Sequence, residues 1–306
     1  MLGMSVEVMQ KSNAFIPQKE IFVPKQTTLA RSFTCKGIGV HGGKDVTMTV
    51  HPAPSNTGYR FKRLDLQTSR NQVSARFDTV TQTVMNTQIS NSSGVSVSTV
   101  EHLLAALSAS GVDNALIEID GPEVPIMDGS SKAFMGLIAN CGLRTLIVKK
   151  KVLKIMQEVE LTTSQGYVRF VPQKKSSFKV SFDFNKRLPH LFCFNYTPSK
   201  DSFNDLIASA RTFGFYEDAQ KVWAMGLAKG TSLENSIVLK DGKVMNEDGL
   251  RFPDEYVRHK ILDAIGDLAL SGYEIVGGYE AHNPSHELNN KLLRALFSDK
   301  TVFEIL

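Results

Sequence analysis

Cysteine, long apolar runs and a surplus of charge of one sign are what this 306-residue chain has least of. Its three cysteines (Cys35, Cys141, Cys193) are odd in number and widely scattered, which argues against a disulfide framework and a cysteine-based zinc site and fits a reducing cytosol. No apolar stretch approaches the length needed to span a bilayer, so an integral membrane protein is not expected. Glu7, Gln10, Lys11, Gln18, Lys19 and Glu20 interrupt every apolar stretch near the start, which removes a signal-peptide core. Acidic residues without arginine weaken a transit peptide as well, so residues 1–26 read as a flexible or loosely docked extension and the chain as cytoplasmic. The net charge of +4 is mild and no basic stripe is interleaved with aromatics. Nucleic acid is therefore not the expected partner, and the charge suits an anionic small molecule at least as well. With 42% hydrophobic and 22% charged residues, the composition is that of a globular chain long enough for two domains.

From Thr27 the pattern is short strands separated by turn residues, at 45–51, 59–64, 73–83 and 90–98. The period then becomes helical over 98–109, where Val100, Leu103, Leu104 and Leu107 share a face and Ser98 and Glu101 have capping-box spacing. A strand at 115–119, a loop rich in Gly, Pro and Asp from 121 to 130, and a helix at 131–140 follow. The lysine run 149–151, after Leu143–Val148, marks a domain boundary. The second half begins again with strands at 152–162, 167–171, 178–184 and 191–196, then helices at 201–210 and 218–225. A hairpin at 237–245 turns on Asp241-Gly242, ahead of a long helix at 255–271, a strand at 275–280 and a last helix at 284–297 with Pro284 in its first turn. Both halves thus run strands, helix, strand, loop, helix, which points to a two-copy α+β arrangement with a seam where a ligand site would form.

The stretch from Arg258 to Leu268 concentrates the chemistry. At about 100° per residue, His259, Asp263 and Asp267 fall in a band roughly 80° wide with Lys260 at its edge, opposite Val257, Ile261, Leu262, Ile265 and Leu268. A His–Asp pair at i, i+4 is an ordinary surface feature. Short Asp and His side chains at successive turns also suit holding something. His102 after Glu101 would complete a set of three N and O ligands with an open position, the pattern of a catalytic zinc. Glu101 has two competing roles, as capping partner of Ser98 or as general base. His286, at a helix N-terminus that disfavours an imidazolium, would need a carboxylate partner such as Asp267 to act as an acid. His41, His51, His190 and His282 read as surface or packing residues.

These residues lie in longer motifs: Gly37-Ile38-Gly39-Val40-His41-Gly42-Gly43, Ser98-Thr99-Val100-Glu101-His102-Leu103, and Pro122 through Ser130. Arg211-Thr212-Phe213-Gly214-Phe215, Asn246 through Phe252, Arg258 through Leu268 and His286 through Leu293 follow in order. With them, residues 28–297 resemble the UDP-3-O-acyl-N-acetylglucosamine deacetylase family, zinc amidases of lipid A biosynthesis. Departures are Ser285 and Glu287 beside His286, where the family commonly has Gly and Ala, and Lys229 and Thr231 where small or apolar residues are usual.

The resemblance implies two similar two-layer domains, 27–148 and 149–306, whose helices pack face to face, with an insert at 213–230 forming a tunnel for the acyl chain. It implies one zinc ion held by His102, His259 and Asp263. Glu101 would take a proton from metal-bound water and His286 would protonate the leaving amine, oriented by Asp267. Thr212 would help hold the oxyanion, Lys260 would lie near the intermediate or the nucleotide phosphates, and Phe213 and Phe215 would line the substrate path. The implied reaction releases acetate from a UDP-linked acylated glucosamine, and a monomer is expected. One rival is a zinc amidase acting on a different acetylated sugar nucleotide; another, of a different class, is a metal-free binding module on the same fold. It would have lost a ligand or the base, and none of Glu101, His102, His259, Asp263 and His286 is missing.

Overall fold

Strand Asp45–Pro52 turns Val46, Met48 and Val50 inward and its polar residues outward, the alternation of a sheet with one face on a core. In the computed structural model, which describes residues 23–184, 187, 190–198 and 200–306 (Lys200 and Asp201 without side chains), this strand belongs to one of two five-stranded sheets. The expectation for residues 1–22 lies outside the described residues.

The first sheet runs Phe33–Ile38, Asp45–Pro52, Ala115–Ile119, Tyr59–Arg63, Gln72–Ser74. The second runs Val159–Thr162, Tyr167–Val171, Gly278–His282, Ser177–Asp183, Leu191–Tyr196. Their topologies are the same. In each, a hairpin flanks either side of a late-arriving central strand, which is antiparallel to the first hairpin and parallel to the second. Strand Lys25–Leu29 pairs antiparallel with Leu143–Lys149, as Val152–Ile155 does with Phe303–Ile305. Every ladder among the described residues closes within 25–149 or within 152–305.

Six α-helices lie among the described residues: α1 Glu101–Ala109, α2 Lys132–Cys141, α3 Lys200–Leu206, α4 Ala219–Ala224, α5 Glu255–Ala269 and α6 His286–Ser298. The fold is α+β, two similar sheet-and-helix units with their helices facing. The closest helix pairing is α1 on α5. Helix α1 is buried over most of its circumference, with Leu103, Leu104, Ala105, Ala106 and Leu107 fully buried. One continuous apolar core runs from the first sheet through α1 and α5 to the second. At the crossing, Gly266 of α5 lies under the start of α1, where a Cβ would run into the Glu101 carbonyl. Glycine inside a helix costs about 1 kcal/mol relative to alanine. Here that cost admits the backbone of α1.

A smaller cluster (Phe184, Ile237, Leu239, Tyr256) supports a three-stranded sheet of Phe213–Phe215, Ile237–Lys240 and Lys243–Val244. Its hairpin turns on Asp241 (φ 49°) and Gly242 (φ 75°), both left-handed as a two-residue turn demands. Fully buried Glu255, at the start of α5, accepts from Arg211 N (2.9 Å), Arg211 Nε (2.9 Å) and Arg251 N (2.6 Å). This pins the segment leading to Thr212 against α5.

Several expected elements differ. The capping box is absent. Helix α1 begins at Glu101, Thr99 has φ 57°, and Ser98 Oγ donates to Gln88 Oε1 (2.9 Å) instead of capping a helix. The strand expected at 73–83 is interrupted by a 3-10 turn at Phe77–Thr79, closed by Thr79 Oγ1 bonding Arg76 O (2.8 Å). The strands expected at 152–162 and 275–280 each split in two, the latter at Gly277, where a Cβ would collide with Ile155. Helix α6 starts after Pro284, because Ser285 is its N-cap and accepts from Leu288 N (3.2 Å). Lys25 and Gln26 already belong to a strand, two residues before the expected boundary.

Substituting Gly266 by alanine is expected to force α1 off α5 and destabilise the protein by about 1–3 kcal/mol, the usual penalty of overpacking. Urea denaturation measures it; a midpoint equal to that of the unsubstituted protein would show that the crossing is not tight.

Candidate metal centre and catalytic groups

Helix α5 carries His259, Asp263 and Asp267 one turn apart, and all three are buried. Helix α1 brings Glu101 and His102 in its first turn, and α6 brings His286 in its own. Across the seam, His102 Nε2 and His259 Nε2 converge on Asp263 Oδ1 at 3.7 and 3.4 Å, and the three ligand atoms lie within 4.8 Å of one another. The imidazoles meet edge to face, centroids 5.0 Å apart.

The donor chemistry of this triangle fits a metal ion. Asp263 Oδ1 is buried without a hydrogen-bond partner, an expensive arrangement unless a cation completes it. Its other oxygen accepts from Lys260 Nζ at 2.9 Å, so only Oδ1 faces the histidines. His259 Nδ1 lies 3.0 Å from the Ala210 carbonyl, which assigns the proton to Nδ1 and leaves the Nε2 lone pair free. Burial, and then the neighbouring His259, push His102 down to about 3, so it stays neutral. Burial alone would raise Asp263, but His259 and Lys260 outweigh it and hold the carboxylate well below its ordinary range. Two neutral imidazole nitrogens and one carboxylate oxygen are a donor set zinc accepts.

Glu101, freed from capping, is buried and accepts from Thr87 N (3.1 Å). Burial pushes its carboxyl up to about 8 against the opposing pull of His286. His286 Nε2 lies 3.8 Å from Glu101 Oε1, and His286 Nδ1 lies 2.8 Å from Asp267 Oδ2. Burial works against the imidazolium, but the Asp267 charge and hydrogen bond prevail and raise His286 to about 9. Thr212 is half-buried, its N–H on Gly129 O (2.8 Å) and its carbonyl on Ile237 N (2.8 Å). Phe213 stands 6.0 Å from the His259 ring, and Lys260 Nζ lies 5.4 Å above it. Phe215 packs against Phe184 and under the Arg187 guanidinium.

Four partners carry no motif of their own. Thr87 Oγ1 (2.6 Å) and Asn289 Nδ2 (2.8 Å) both donate to Asp267, and Tyr279 OH donates to Asn289 Oδ1 (2.6 Å). Glu123 accepts from His41 N, Gly42 N and Thr99 Oγ1, each at 2.9 Å, and so ties the glycine loop to the approach of α1. The only early sign of them was position within the longer motifs, for Glu123 and Asn289. His41, read as a surface or packing residue, is buried, and burial lowers its pKa.

Geometry thus defines a two-unit α+β protein with a candidate N,N,O metal centre at the seam, flanked by a carboxyl and an imidazole. Residues 26–298 match the family described as UDP-3-O-acyl N-acetylglycosamine deacetylase. Proteins named UDP-3-O-acyl-N-acetylglucosamine deacetylase are similar over nearly their whole length. That of Neisseria meningitidis is 43% identical over 91% of this chain and 92% of its own, and that of Campylobacter hominis 43% over 92% and 95%. The Pasteurella multocida protein is 42% identical over 92% of this chain and 93% of its own. The chain belongs to the UDP-3-O-acyl-N-acetylglucosamine deacetylase family. No helix among the described residues is long and apolar enough to cross a membrane.

The raised His286 sets a pH dependence. Its pairing with Asp267 stabilises the fold fully below the ordinary histidine value of 6.5 and loses effect as pH rises through about 9. The stability gap between the unsubstituted protein and Asp267→Asn should therefore be widest at about pH 6.5 and below, shrink as pH rises from there, and be lost above about pH 9. Urea titrations across that range decide it, and a gap that is constant or widens with pH contradicts the assignment.

Proposed function

We propose that this chain hydrolyses the acetamide of UDP-3-O-(3-hydroxyacyl)-N-acetylglucosamine, releasing acetate in the committed step of lipid A biosynthesis. His102, His259 and Asp263 would hold one zinc ion. When bound, zinc acts as a Lewis acid and brings the pKa of water toward about 7. The observation that carries this reading is the buried, unpartnered Asp263 Oδ1 facing two histidine Nε2 atoms, beside Glu101 and His286.

Glu101 acts as general base, taking the proton of the attacking water. A carboxyl near neutrality suits a group that must accept and then release a proton. His286, cationic through its pairing with Asp267, donates a proton to the amide nitrogen, without which an amine anion would have to leave. Each of these groups is worth roughly 10²–10⁴-fold in rate. The Thr212 hydroxyl steadies the carbonyl oxygen as charge develops on it. Lys260 pairs with Asp263 and would lie near the intermediate or the nucleotide phosphates. Phe213 and Phe215 open an apolar path continued by the insert at 213–230, where each buried methylene of the acyl chain contributes about 0.8 kcal/mol. On this reading residues 27–148 and 149–306 are two domains of a cytoplasmic monomer.

Removing His259 as the alanine variant should abolish both zinc binding and turnover, whereas Glu101→Ala should keep the metal and lose turnover. Metal analysis with an acetate-release assay on the UDP substrate tests both. Metal retained by His259→Ala, or an active Glu101→Ala, sinks the assignment.

A further inference from the structure

The loop between strands Val80–Gln82 and Gln88–Ser90 carries Met85 in a left-handed conformation (φ 63°) and delivers Thr87 into the seam, 2% exposed. Thr87 touches both sides of the proposed acid–base pair. Its hydroxyl donates to Asp267 Oδ1 at 2.6 Å and its backbone N–H donates to Glu101 Oε2 at 3.1 Å. Its carbonyl accepts from Val100 N at 3.4 Å, at the foot of α1. Asp267 Oδ2 is engaged by His286 Nδ1 and Asn289 Nδ2, both at 2.8 Å. The Thr87 hydroxyl is thus the contact that fixes the remaining oxygen and stops the carboxylate from rotating. Glu101, Thr87, Asp267 and His286 close a ring, completed by the 3.8 Å approach of His286 Nε2 to Glu101 Oε1.

We infer that Thr87 is a positioning residue that locks the Asp267 carboxylate behind His286 while its N–H aims Glu101 at the same reacting bond. This rests on the acid and base roles proposed above. A threonine is suited to the task because its hydroxyl is small, donates one proton, and sits on a side chain stiff about χ1. Valine keeps that shape and the backbone N–H but leaves Asp267 Oδ1 unpaired, so Thr87→Val separates the hydroxyl from the packing.

The test uses the metal-loaded full chain. Thr87→Val should lower kcat roughly 10- to 100-fold, the usual effect of losing a partner one shell out, with KM little changed. Thr87→Ser should restore most of the rate. In a His286→Ala background the same valine substitution should cost little more, because the group through which it acts is already gone. In the metal-free protein, the His286 Nδ1–H proton should exchange faster in Thr87→Val than in Thr87→Ser. A purely structural hydroxyl would instead lower the melting temperature and reduce the rate by the same factor with and without His286, and that result overturns the proposal. Unchanged kcat in a folded Thr87→Val protein overturns it as well. Should valine prevent folding, Thr87→Ala and Thr87→Ser carry the same comparison. A fully active His286→Ala refutes the acid assignment itself, an outcome distinct from a normal Thr87→Val beside an impaired His286→Ala.

Discussion

The close crossing of α1 over α5 is the constraint on which the rest of the structure depends. Gly266 removes the side chain that would collide with the Glu101 carbonyl, and so the first turn of α1 descends onto the His259–Asp263–Asp267 face. His102 and Glu101 are adjacent in sequence, and their joint arrival places one beside His259 and Asp263 and the other against His286. The two sheets behind these helices supply the stiffness. Each buries one face on a core that is continuous through both helices, so neither helix can shift without disturbing packing on the far side.

Desolvation at that seam explains the distribution of charge. Burial favours the neutral form of every titratable group there, raising Glu101 and lowering His102 and His259. Asp267 organises the site by hydrogen bonding, because His286, Thr87 and Asn289 all bond to it. Backed by that carboxylate, His286 is the one imidazole of the site raised above its ordinary value. The same pocket thus holds neutral imidazoles suited to a metal and a protonated one suited to acid catalysis.

Much of this was legible in the sequence, and the failures have physical causes. The face shared by His259, Asp263 and Asp267 followed from helical spacing alone, and the recurring element order announced the paired topologies of the two sheets. The capping box failed because Ser98 found a partner in Gln88, across a hairpin whose geometry no local pattern records. Strands were overextended at 73–83 and 275–280, where apolar alternation continues through a 3-10 turn and a crowded Gly277. Thr87 was invisible because a lone threonine in a loop carries no periodicity; only the hydrogen bond to Asp267, across a sequence separation of 180 residues, gives it a role.

By itself the sequence determined that Val100, Leu103, Leu104 and Leu107 share one face of α1 and that His259, Asp263 and Asp267 share one face of α5, since 3.6-residue periodicity sorts residues within one element. It also determined the family, through motifs spread along nearly the whole chain. Only the tertiary structure decided how those faces meet. The separation of Asp263 from His102, the pairing of Asp267 with His286, and the release of Glu101 from a capping role arise between elements distant in sequence. Their distances are set by a backbone crossing and by packing, and neither is encoded in the spacing of any one helix.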